Sequence, residues 1–99
     1  DATNGVIWFS KNGTWQNSAT IAEIGAGTTT NAATTGITMS QFWMPFLEGA
    51  NCTWEVNFGN PTFSISSGNA DGNGYGNSEY AVPSGYLALC TKNLGSDGG

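Results

Sequence analysis

Large apolar residues occur along this chain in short groups, and no group keeps a helical period for more than two turns. Val6-Ile7-Trp8-Phe9 is β-branched and aromatic, Asn12-Gly13 follows, and Thr14-Trp15-Gln16 resumes an extended pattern. Asn-Gly readily takes the positive φ angles of a type I′ turn, so this stretch predicts a β-hairpin. Residues 17–38 are mostly Ala, Gly, Thr and Asn, with Ile21, Ile24 and Ile37 as the large apolar side chains. They predict an irregular connection with one short strand or helical turn at 21–24. Residues 41–47 gather large apolar side chains around Pro45, which suits an edge strand or a strand broken at the proline.

The clearest alternation sets Cys52, Trp54, Val56 and Phe58 against Thr53, Glu55 and Asn57. A period of two with one apolar and one polar face predicts a half-buried antiparallel strand. Phe63 and Ile65 continue the alternation in a short strand. Residues 66–79 form a Gly/Asn/Ser loop, and Tyr86-Leu87-Ala88-Leu89-Cys90 predicts a closing strand. The fold class expected is therefore all-β, an antiparallel β-sandwich spanning residues 1–94, followed by a flexible tail or linker at 95–99. Trp8, Trp54, Phe58 and Phe63 are the expected core rings, because a domain with few leucines draws its buried area from aromatics.

Ninety-nine residues fit one domain with a modest core, burying roughly 60–70% of the surface its unfolded chain exposes. Only 9% of residues are charged, and the net charge of −5 sets seven carboxylates against Lys11 and Lys92. Nucleic acid and anionic membrane surfaces are poor partners for such a chain, since no basic patch displaces their counterions. No apolar run approaches the ~18 residues of a membrane span. Cys52 and Cys90 are candidates for a disulfide, but Cys52 also fits a small buried hydrophobe on the face of Trp54, which leaves the redox compartment open. Asn12-Gly13-Thr14 and Asn51-Cys52-Thr53 match the N-glycosylation triplet, a pattern that an Asn- and Thr-rich chain also produces by chance.

Catalytic chemistry has little to work with. The chain has no histidine and no closely spaced cysteines, which removes zinc sites of the usual kind and a Ser-His-Asp triad. Glu48 and Glu55 are near in sequence but flank a turn, and they read as solvated charges at strand ends rather than a glycosidase pair. The loop Asn69-Ala70-Asp71-Gly72-Asn73-Gly74 has oxygen-bearing side chains at its first, third and fifth positions and Gly at the sixth, as a calcium loop does. Its twelfth position is Tyr80 instead of a bidentate Glu, and only one carboxylate would face an ion. No catalytic residue, cofactor or metal site is expected. Tyr75, Tyr80 and Tyr86 cluster in and after this loop, so Asn69, Asp71, Asn73, Tyr75 and Tyr80 are the candidate ligand-binding residues, with a chemistry suited to a sugar or a protein surface.

The run Ile7-Trp8-Phe9-Ser10-Lys11-Asn12-Gly13-Thr14-Trp15 resembles the strand-turn-strand of SPRY domains. Met44-Pro45-Phe46, Asn57-Phe58-Gly59 and Pro83-Ser84-Gly85-Tyr86 resemble later family segments in the same order. More specifically, Asn57-Phe58-Gly59-Asn60-Pro61, then Gly72-Asn73-Gly74-Tyr75-Gly76, then Tyr86-Leu87-Ala88-Leu89-Cys90-Thr91-Lys92-Asn93-Leu94 look like SPRY-like segments of bacteriophage and marine viral structural proteins. Thr62 separates Pro61 from Phe63, which usually adjoin in the family, and the loop at 66–79 is longer than in its cellular members. The resemblance covers only the C-terminal part of the domain. It implies a concanavalin-like sandwich completed by strands from a preceding segment, a second copy or another protein. In function it implies a non-enzymatic virion module, a tail fibre or capsid decoration, whose partners are other virion proteins or itself. A lectin-like module that binds a host-surface glycan is the alternative.

Overall fold

The computed structural model describes residues 1–38 and 40–97, which divide into two compact units, Asp1–Trp54 and Glu55–Gly99. The expected sandwich is not there. Among the described residues the one sheet has two strands, β1 (Ser10–Lys11) and β2 (Thr14–Trp15), a 3-10 turn follows at Gln16–Ser18, and the α-helices are α1 (Ile21–Gly25) and α2 (Thr91–Asp97). Most of the chain is irregular, held by turns, isolated bridges and side-chain hydrogen bonds.

The hairpin forms where the sequence places it. Lys11 pairs with Thr14 and Ser10 with Trp15, leaving Asn12 (φ 52°) and Gly13 (φ 77°) as the two-residue loop with both φ angles positive. That is the type I′ geometry, whose twist matches the flanking strands. The strands are shorter than expected, because Ile7 turns away to bridge Thr34, and Ile37 N–H donates to the Gly5 carbonyl at 2.9 Å.

The segment around Ile21 resolves as a helix with both ends satisfied. Thr20 accepts from the Glu23 N–H at 3.2 Å while the Glu23 carboxylate accepts from the Thr20 N–H at 2.8 Å, a capping box. At the other end Gly27 sits at φ +72°; its N–H donates to the Ile24 carbonyl and that of Thr28 to the Glu23 carbonyl, a Schellman motif. A helix this short has almost no intrinsic stability, so the caps and the burial of Ile24 hold it. Among the described residues, Val6, Ala19 and Ile24 are the buried apolar side chains of this unit.

Residues 52–58 form no strand among the described residues, and Trp54, Val56 and Phe58 are exposed. The alternation is present in the sequence, but a strand exists only when a partner takes its N–H and C=O groups. Left-handed residues stand at Asn51 (φ 57°) and Gly59 (φ 96°), on either side of this stretch. Of the expected core rings, Trp8 and Phe63 are half-buried while Trp54 and Phe58 are not in a core. Residues 41–47 likewise form no strand and lie exposed. Both thiols are free, with Cys52 exposed and Cys90 half-buried. Of the expected tail, residues 95–97 belong to α2, and Gly98 and Gly99 lie outside the described residues.

Candidate functional site

The C-terminal unit is organised around a buried carboxylate. Asp71 Oδ1 accepts from the backbone N–H of Asn73 (2.9 Å) and Tyr75 (3.0 Å). Its Oδ2 accepts from the Ala88 N–H (2.8 Å) and from Asn93 Nδ2 (2.6 Å). Short-range Asx bonding of this kind is what Asp contributes to tight turns. Here the loop closes further, with Asp71 N–H donating to the Tyr75 carbonyl and Gly74 N–H to the Asp71 carbonyl. Burial by itself would raise the Asp71 carboxyl, but the hydrogen bonds from Asn93, Ala88, Tyr75 and Asn73 outweigh it and hold the pKa at about 2.

Asn93, on α2, is the second buried polar residue of this knot. Its Nδ2 also donates to the Ala88 carbonyl (2.7 Å), and its Oδ1 accepts from Asn73 Nδ2 (3.0 Å). One amide therefore ties α2 to the loop and to the segment before the helix. Around the knot, Asn69 and Ser78 exchange backbone bonds of 2.8 Å, and Asn69 Nδ2 reaches the Glu79 carbonyl at 3.0 Å. The Glu79 carboxylate accepts from Ser66 and Ser67, and these bonds, led by the Ser66 hydroxyl, keep it below its ordinary pKa.

Beside the knot lies a cleft of about 380 Å³ whose walls include Phe58, Asn60, Tyr75, Cys90, Thr91 and Lys92. Gly59, Gly74 and Gly76 bring bare backbone to its surface. Gly76 (φ +88°) has to be glycine: a Cβ there would stand 2.9 Å from the Ala88 Cβ. The Lys92 ammonium sits 5.5 Å above the Tyr75 ring centroid, within cation–π range. The arrangement offers an exposed ring, a half-buried ring, an amide and a cation to one solvent-accessible hollow, which is the chemistry of a polar-ligand site.

The candidate residues separate on this geometry. Tyr75 lines the cleft. Asn69, Asp71 and Asn73 have their side chains turned to the loop's own backbone and to Asn93, so they shape the unit. Both oxygens of Asp71 face N–H donors, which is the opposite of what a cation needs. Tyr80 is exposed and outside the cleft walls. Sequence reasoning missed Phe58, Asn60 and Lys92 as cleft residues; Lys92 carried a signal, being one of two cations in the chain. Comparison with protein-family models, with curated proteins and with solved structures found no match.

Proposed function

We propose that this chain is a non-enzymatic structural or recognition module of a larger particle, of the virion kind that its SPRY-like segments resemble, working by protein–protein or surface association. One observation carries the reading: many of the large apolar side chains are exposed. Val6, Ala19 and Ile24 are buried, whereas Phe9, Phe42, Trp43, Met44, Phe46, Trp54, Phe58 and Leu89 are among those exposed. Large apolar side chains left exposed in this number mark interaction sites. Sedimentation of the purified chain at micromolar concentration, with amide exchange on the same samples, tests the reading. Self-association, or a poorly protected monomer, supports it; a compact monomer protected throughout overturns it.

The cleft favours a second reading, binding of a glycan. A sugar ring stacks its C–H face on an aromatic side chain and offers hydroxyls to amides and cations, and Phe58, Tyr75, Asn60 and Lys92 supply those groups in one hollow. The Asp71 knot uses only the backbone of Tyr75, so Tyr75→Ala removes the ring without removing that bond. Glycan-array binding that Tyr75→Ala abolishes supports this reading, and an empty array rejects it.

A further inference from the structure

We infer that Asn12 is a site of covalent modification, at which the folded chain converts this asparagine to aspartate and isoaspartate through a cyclic imide. The chemistry is open in principle to any Asn-Gly step. The glycine backbone nitrogen, once hydroxide has taken its proton, attacks the asparagine Cγ, and ammonia leaves with a proton from water. Water then opens the imide at either carbonyl. One opening restores the ordinary main chain with aspartate in place of asparagine, and the other reroutes the main chain through Cβ and Cγ as isoaspartate. Glycine favours the attack, because no Cβ crowds its nitrogen and its backbone turns freely. The sequence contains three such steps, Asn4-Gly5, Asn12-Gly13 and Asn73-Gly74.

Two of the three are locked by the fold. Asn4 Nδ2 donates to Asp1 Oδ2 at 2.7 Å and its own N–H to Asp1 Oδ1 at 3.0 Å, while Gly5 is buried with its backbone against Ile37. Asn73 Nδ2 donates to Asn93 Oδ1 at 3.0 Å, and the Gly74 N–H, whose nitrogen is the nucleophile of that step, donates to the Asp71 carbonyl at 3.0 Å. Those contacts must break before nitrogen and Cγ can meet, so both steps react only through local opening. Asn12 and Gly13 are exposed, and among the described residues neither the Asn12 side chain nor the Gly13 N–H makes a hydrogen bond. The attack does require Asn12 to leave its turn geometry (φ 52°), but the sheet that holds it has two residues per strand, too few to be stable by itself. Either product adds one negative charge to a chain of net −5. Isoaspartate also adds a main-chain carbon inside a two-residue turn, which the register of Lys11 opposite Thr14 does not accommodate.

Peptide-mapping mass spectrometry of the whole chain tests the inference, with one sample incubated folded at mildly alkaline pH and a second in guanidinium. A methyltransferase that labels isoaspartate gives an independent readout. In denaturant the three steps should convert at similar rates. In the folded chain Asn12 should convert first, with Asn4 and Asn73 slower than it by roughly tenfold or more. In the isoaspartate product the Gln16 N–H, which donates to the Phe9 carbonyl across the hairpin at 2.9 Å, should lose its exchange protection. Asn4 or Asn73 converting as fast as Asn12 in the folded chain overturns the assignment. So does an Asn12 that stays intact in the folded chain while it converts in denaturant. Undiminished protection at Gln16 in the isoaspartate product overturns the loss of register.

Discussion

Acid should dismantle the C-terminal unit from one carboxylate outward. An ordinary aspartate in an unfolded chain titrates near 3.8, and Asp71 in the folded unit is held at about 2. That difference weakens proton affinity by roughly two orders of magnitude, at tenfold per pKa unit. It arises because burial, which favours the neutral acid, is outweighed by four N–H donors that favour the carboxylate. The folded value lies below the unfolded one, so the contribution to stability is fully present above about pH 4 and is lost as pH falls through about 2. A carbon-13 carboxyl titration by NMR should place the Asp71 midpoint near 2. The amides of Asn73, Tyr75 and Ala88, which donate to it, should shift and lose exchange protection over the same range. Asp71→Asn should produce the same loss at neutral pH. An asparagine presents a single oxygen, and whichever way its amide turns, two of the four donors meet an NH₂ group. An Asp71 midpoint near 4, or an Asn variant with unchanged protection at Ala88, would refute the account of the knot.

Three further outcomes follow from the same structure. Ile24 is 2% exposed, and Ile24→Ala should cost about 2–5 kcal/mol in urea denaturation, with a loss under ~1 kcal/mol arguing against its place in the core. Thr20→Ala removes one half of the capping box and should cost about 0.5–2 kcal/mol, seen as faster exchange of the Glu23 amide; unchanged exchange there would reject the cap. Gly76→Ala combines φ +88° with a 2.9 Å approach to the Ala88 Cβ, and a cost of about 1–3 kcal/mol should appear in denaturant melts of the C-terminal unit, where no change at all would contradict the close packing.

Local signals in the chain were readable wherever a few neighbouring residues decide the geometry. Asn12-Gly13 carries its own turn type, because the positive φ angles it needs are intrinsic to those residues. The pattern Thr20-x-x-Glu23 followed by Gly27 is a complete helix start and stop, legible in the sequence although the segment there was also compatible with a strand. Period-two patterning gives alternating burial at 61–66 without a ladder, and at 52–58 it gives neither, since every residue there is exposed. Pro61, Phe63 and Ile65 turn inward and Thr62, Ser64 and Ser66 outward, yet no strand pairs with them among the described residues. Alternation is a property of one extended chain, whereas a sheet requires a second chain segment at the right distance. Nothing in the apolar spacing of residues 41–58 specifies such a segment.

Residues 86–90 separate what local patterning sets from what contacts between distant segments impose. Their alternation follows from the sequence, and Tyr86, Ala88 and Cys90 do share one face while Leu87 and Leu89 share the other. Hydrophobicity alone would bury the leucines. In the structure Ala88 and Cys90 turn inward and Leu87 and Leu89 are exposed. The Ala88 N–H is bound by Asp71 from seventeen residues away, and its methyl packs where Gly76 has no side chain. A buried carboxylate that finds its donors outweighs two leucines left in water, because its unpaired burial would cost more than their exposure does. Which N–H groups converge on Asp71 is set by loops that meet only in three dimensions, so the knot, the cleft beside it and the residues lining that cleft were decided there.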